Sequence, residues 1–144
     1  MSKLEKTITI HAPAEKIFNY ITKPTDLLEI WPSMVDVKDV KQLPNGGNHF
    51  RWVYKMAGMR LEGESDDVEC VANRHLVSQT KGGVESTITW DFQPKNGDTK
   101  VTFDAEYKVP VPLLGKLAEA FIVKQNEHEA ETILANLKDR MESE

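Results

Sequence analysis

One cysteine, Cys70, in 144 residues rules out an internal disulfide and any multi-cysteine metal site. No apolar run approaches the ~18 residues that a membrane-crossing helix needs, so stable membrane insertion is not expected. The opening stretch M-S-K-L-E-K-T-I-T-I-H-A-P-A-E has no signal-peptide apolar core, and a cytoplasmic location is the expectation. Cations are scarce too: 18 Lys and Arg face 23 Asp and Glu. The resulting net charge of −5 disfavours nucleic acid as a partner, because phosphate binding draws on a local excess of cations. The histidines His11, His49, His75 and His128 are scattered without metal-ligand spacing, and E-H-E at Glu127 to Glu129 is not H-E-x-x-H. There is no G-x-S-x-G, no P-loop and no dinucleotide fingerprint. No metal and no cofactor are therefore expected, and nucleophilic catalysis of the familiar kinds has no signature.

Hydrophobic residues make up 40 % and charged residues 28 % of the chain, a balance that suits one domain, residues 1–144, around a single core. Lys3 to His11 alternates, with Ile8 and Ile10 opposed to Thr7 and Thr9, and predicts a first strand. Pro13 suits a helix N1 position, and Ile17, Phe18 and Ile21 at helical spacing predict a short helix ending before Lys23-Pro24. A second short helical piece is expected over Thr25 to Ile30.

From Met34 the period becomes two. Six strands follow, separated by turn signals at Pro44-Asn45-Gly46-Gly47, Ala57-Gly58, Lys81-Gly82-Gly83 and Lys95-Asn96-Gly97-Asp98. The register slips between Val37 and Val40, and Val68 and Cys70 take the opposite parity to Leu61, which predicts a bulge near Asp66-Asp67. The acidic run Glu62, Glu64, Asp66, Asp67 and Glu69 reads as the wet side of that strand; it lacks the D-x-D-x-D-G spacing of a calcium loop. Strands joined by short turns are antiparallel. Their aromatic face needs a cover, and the last thirty-odd residues supply it. A helix from Pro112 to Met141 would be roughly 45 Å long. Ile122, Asn126, Ala130, Ile133, Leu137 and Met141 define one face of it; Leu114, Leu117, Phe121 and His128 define a second in its first half. The fold class is α+β: a twisted antiparallel sheet of about seven strands against one long C-terminal helix.

Parity selects the inward side chains. They are Trp52, Tyr54, Met56, Leu61, Leu76, Ser78, Ser86, Ile88, Trp90, Phe103, Ala105 and Tyr107, with Phe121, Ile122 and Asn126 meeting them from the helix. Taken alone, these residues fill a dry core or line a cavity. Rings that carry O–H or N–H groups, mixed with Ser and Asn on a greasy face, favour the cavity, since buried polar groups need partners. Asn126 stands where Leu would pack better, so its amide is read as a ligand contact or a bond to a neighbouring strand. Glu119 is expected at the cavity mouth, and Leu114, Leu117 and Phe121 as a gate beside it. Tyr54, Tyr107 and His128 are the candidate acids and bases.

The segments I-T-I-H-A-P-A-E-K-I-F-N-Y-I, W-V-Y-K-M-A-G-M-R and P-L-L-G-K-L-A-E-A-F, the last leading into N-L-K-D-R-M-E, resemble the START-like (SRPBCC) superfamily, in particular its polyketide cyclase/dehydrase and lipid-transport branch. The resemblance spans the chain. It implies a helix-grip fold, in which a curved sheet wraps the terminal helix, and a deep apolar cavity between them. It also implies one of two functions. The first is binding or transport of a hydrophobic small molecule, whether lipid, aromatic or polyketide-like. The second is a cyclase or dehydratase acting by acid/base and positional catalysis in the same cavity. The lack of a clear acid/base pair in the sequence favours the first.

Overall fold

The structure, a computed structural model, describes residues 2–56, 58–109 and 115–143. Strand β1 (Ser2–Ile10) leads into helix α1 (Ala14–Ile21), a 3₁₀ turn (Pro24–Asp26) and helix α2 (Leu27–Ile30). Six strands follow: β2 (Met34–Gln42), β3 (Asn48–Met56), β4 (Met59–Val71), β5 (His75–Gly82), β6 (Ser86–Lys95) and β7 (Asp98–Tyr107). Helix α3 (Gly115–Glu142) ends the chain. The strands form one antiparallel sheet in the order β1-β7-β6-β5-β4-β3-β2. This is the expected α+β helix-grip architecture. No helix among the described residues is long and apolar enough to cross a membrane.

Local chemistry explains the turns and breaks. Asn96 (φ 53°) and Gly97 (φ 87°) adopt the left-handed backbone that an Asn-Gly hairpin turn requires. Both expected irregularities are present. Register shifts between Lys38 and Lys41, where Asp39 takes φ 55°, and again between Asp67 and Glu69, where Val68 is the extra residue. The β5 strand runs on to Gly82, further than the sequence suggests, because Gly82 pairs with Gly63 of the long β4 strand.

The core lies between the inner face of the sheet and the three helices. Ile17, Phe18 and Ile21 of α1 are buried, and the Phe18 ring meets Phe92 of β6 edge-on with centroids 5.7 Å apart. Helix α3 packs along β1 and across α2. It does so through its C-terminal half: Ala130, Ile133, Leu134, Leu137 and Met141 are buried. Polar tethers cluster on the same half. Lys138 Nζ donates to the Thr9 carbonyl (2.9 Å), Asn136 Nδ2 to the Ile30 carbonyl (3.1 Å), and the His11 backbone N–H to Glu142 (2.8 Å). Lys16 Nζ reaches the Met141 carbonyl at 2.8 Å, satisfying an acceptor that a helix C-terminus leaves open.

The second apolar face of α3 is not buried. Leu117 is 90 % exposed and Phe121 61 % exposed, whereas Ile122 in the same part of the helix is buried: the stripe from Ile122 to Met141 is the face turned inward, and Leu117 and Phe121 lie on another. The expected gate therefore does not close over the core at Leu117 and Phe121, and its third member, Leu114, lies outside the described residues, as do Pro110, Pro112 and the Ala57 turn position. Clamping through one half makes a clear demand on stability. Leu137 is fully buried, and Leu137→Ala is expected to lower unfolding free energy by about 2–5 kcal/mol in urea denaturation, whereas Leu117→Ala should change it by less than about 0.5 kcal/mol.

Candidate functional site

Strand register sets which side chains share a level on the inner wall. Phe50, Ser65, Thr80, Ser86 and Tyr107 lie opposite one another across β3 to β7. The next level holds Asp67, Ser78, Ile88 and Ala105, and the one beyond it Cys70, Leu76, Trp90 and Phe103. The wall thus changes from a row of hydroxyls, through a mixed row, to a row of rings. Thr80 and Ser86 bond to each other at 2.5 Å, and Trp90 and Phe103 pack edge-on at 4.8 Å.

Between this wall, α2 and α3 lies an interior cavity of about 120 Å³. Its apolar lining includes Leu27, Trp31, Met56, Ile88, Trp90, Phe103 and Ile133. Against the outside of α3 runs a surface groove of about 570 Å³, bordered by Ser33, Lys55, Phe121, Lys124 and His128. Met56, Asn126 and Glu129 line both, so they form the partition between cavity and groove.

Two carboxylates stand on the cavity wall. Asp67 is 4 % exposed and accepts from Ser78 Oγ (2.5 Å) and the Asn48 backbone N–H (2.7 Å). Burial raises its pKa above the ordinary 3.8, against those two hydrogen bonds, which favour the charged form. Glu129 on α3 accepts from the Tyr54 hydroxyl and from the Ser33 hydroxyl and backbone N–H, the last at 3.0 Å. The Tyr54 oxygen in turn accepts from Trp31 Nε1 at 3.3 Å. Burial first, and then the neighbouring Glu129 charge, push the Tyr54 phenol pKa far upward, so it remains protonated.

Two donors on the same wall have no partner. Trp52 Nε1 and Tyr107 Oη are buried and make no hydrogen bond to the described residues. The Asn126 amide is near enough to oppose the burial that raises the Tyr107 pKa, but the pair does not reach hydrogen-bond geometry. Trp52 owes its place to Gly63 directly opposite it: a Cβ at 63 would lie 2.4 Å from the six-membered ring of the indole and 2.4 Å from the Lys81 carbonyl oxygen.

Among known families, the one described as polyketide cyclase / dehydrase and lipid transport matches residues 1–142. The chain belongs to that family. Solved structures with the same fold include the protein TTHA0849 from Thermus thermophilus, at 19 % identity and TM-score 0.84, with 97 % of each chain covered. A START superfamily protein from Mycobacterium smegmatis matches at 16 % identity and TM-score 0.81, again with 97 % of each chain covered. The Zhui aromatase/cyclase from a Streptomyces species matches at 14 % identity and TM-score 0.77, covering 99 % of this chain and 96 % of that one. No curated protein matches by sequence.

For this polyketide cyclase/dehydrase family member, the cavity brings together Trp52, Tyr54, Met56, Ser78, Ile88, Trp90, Phe103 and Tyr107 from the strands with Asn126 from α3. Leu61 and Ile122 are not on its lining: Leu61 is half-buried against the core and Ile122 is buried beside it. Phe121 faces the groove, and so does His128, whose side chain is 83 % exposed and meets Glu131 at 3.9 Å; neither reaches the cavity. The remaining histidines pair with surface acids, as His49 does with Asp66 (2.6 Å) and His75 with Asp91 (2.5 Å). Glu119 is exposed and lines neither cavity nor groove.

Neither carboxylate stands out as a site residue in the sequence. Asp67 does not face solvent with the other acids of β4, as its charge suggests; it shares the parity of Leu61, Gly63 and Ser65, and the Val68 bulge hides the change of phase. Glu129 sits one four-residue step before Ile133 and three after Asn126, on the buried side of α3. The raised Asp67 pKa carries a pH signature. Because its folded value lies above its unfolded one, the folded state holds the proton more tightly, and its contribution to stability falls as pH rises from about 4 through the folded value. Denaturation of the wild type and of Asp67→Asn at several pH values is expected to show the wild type losing stability relative to the variant over that interval.

Proposed function

We propose that the protein binds a small hydrophobic molecule in the interior cavity. The observation that carries this reading is the pair of buried donors, Trp52 Nε1 and Tyr107 Oη, on the cavity wall, without a partner among the described residues. A buried donor without an acceptor costs about 1–3 kcal/mol, which a ligand oxygen would recover. The volume suits an occupant of one ring: a cavity of ~150 Å³ holds benzene in another protein. A longer molecule, such as a lipid chain, would have to pass the partition at Met56, Asn126 and Glu129 and lie partly in the groove. The family description, with its lipid transport, fits a carrier of this kind.

A second reading has an observation of its own. Tyr54 and Glu129 form a hydrogen-bonded acid and carboxylate on the cavity wall, the kind of pair a cyclase or dehydratase uses for proton transfer. Its geometry is less favourable to catalysis, because the tyrosine proton is directed to Glu129 rather than to an occupant.

Titration with toluene, benzyl alcohol and a medium-chain fatty acid, followed by tryptophan fluorescence, tests the first reading. Saturable quenching is expected from at least one of them, with native mass spectrometry showing a 1:1 complex. If none of these compounds binds, the reading fails. Turnover of a bound polyketide-like compound that is lost in both Tyr54→Phe and Glu129→Gln, with binding kept, would favour the catalytic alternative.

A further inference from the structure

We infer that the cavity selects a neutral or cationic single-ring compound bearing an N–H or O–H donor, received by the Asp67 carboxylate, and rejects isosteres that would enclose a carboxylate. This rests on the ligand-binding reading above and narrows it.

The charge inventory of the wall is one-sided. Asp67 and Glu129 line the cavity, and no Lys, Arg or His among the described residues does. Glu129 is occupied by three donors, from Tyr54 and Ser33. Asp67 has two, from Ser78 and Asn48, while a carboxylate offers about four lone-pair positions. Asp67 is therefore the acceptor with room for an occupant. An anion enclosed beside it would face like charge with no cation to offset the loss of hydration. A donor finds the opposite: an acceptor already desolvated, with the rings of Trp90 and Phe103 one level away.

Spacing agrees with this choice. Ser78, which bonds Asp67, and Leu76 are two residues apart on β5, so the mixed row and the ring row are separated by about 7 Å along the strands, and an occupant packed on Leu76 lies within a ring's length of the Asp67 level. Cations do occur at the groove, where Lys55 and Lys124 stand. The exclusion accordingly applies to compounds that fit wholly inside; a long acid could leave its carboxylate in the groove.

The test compares compounds of one shape on the full chain: toluene, benzyl alcohol, benzylamine and benzoate, measured by calorimetry and tryptophan fluorescence at neutral pH. Benzyl alcohol and benzylamine are each expected to bind about tenfold or more tighter than benzoate, the scale of one hydrogen bond to a charged group. Their relative affinity tells a hydroxyl-bearing from an ammonium-bearing occupant. Asp67→Asn, checked for folding by circular dichroism, is expected to shrink the margin over benzoate to about threefold or less, since the like charge is then gone. Should that variant not fold, competition on the wild type decides: benzyl alcohol should displace bound benzylamine, and equimolar benzoate should not. Benzoate binding as tightly as benzyl alcohol, or an unchanged order in folded Asp67→Asn, overturns the proposal. Saturable toluene binding without any such order would overturn it while leaving the ligand-binding reading intact. Absence of binding by all four would overturn both.

Discussion

Ala130, Ile133, Leu134, Leu137 and Met141 are sealed against the rest of the fold, while Leu117 and Phe121 on the same helix stand in water. That asymmetry sets up the remainder of the molecule. The polar ties to Thr9, His11, Lys16 and Ile30 also fall on the C-terminal half of α3. Hydrophobic burial scales with area removed from water, so a helix clamped over its full length would leave no space behind it. Fastened at one end, it seals the core there and leaves a gap nearer its middle, where Asn126 and Glu129 replace the side chains that would otherwise fill it.

What lines that gap is costly for a core. A buried carboxylate with two neutral donors, a row of hydroxyls and two orphaned N–H and O–H groups all oppose folding relative to well-packed aliphatics. Proteins depart from good local packing at functional sites, and the stability comes from elsewhere: here from the α3 seam and from α1 packed on β6. Gly63 belongs to the same pattern. It holds a position that a larger residue would stabilise in most strands, and its bareness makes room for the Trp52 ring.

The fold was legible in the sequence because period and turn chemistry are local. Alternation from Phe50 to Met56 and from Val101 to Tyr107, the Asn96-Gly97 turn and the uninterrupted final helix each speak through neighbouring residues. Part of the cavity wall was legible for the same reason, since parity alone carries Trp52, Ser78, Trp90 and Tyr107 inward. The failures come from long-range facts. Phe121 borders the groove while its neighbour Ile122 is buried, and two apolar faces on one helix give no local sign of which turns inward. Asp67 lay hidden because charge suggested solvent where parity indicated the interior. Glu129 is recognisable as a site residue only once Tyr54 and Ser33, distant in sequence, are seen to converge on it.

The level-by-level arrangement of the wall also bears on how such a protein can change. Each level is drawn from several strands and has its own chemistry, and while the ring row shares the core with the α3 seam, Ser65, Thr80 and Ser86 lie outside that hydrophobic cluster. A substitution at Ser65, Thr80 or Ser86 would recolour one band of the interior without touching the elements that hold the molecule shut. The scaffold and the lining can then drift on separate clocks. Structures with 14–19 % identity and almost complete overlap show how much of the sequence can change while this fold is kept.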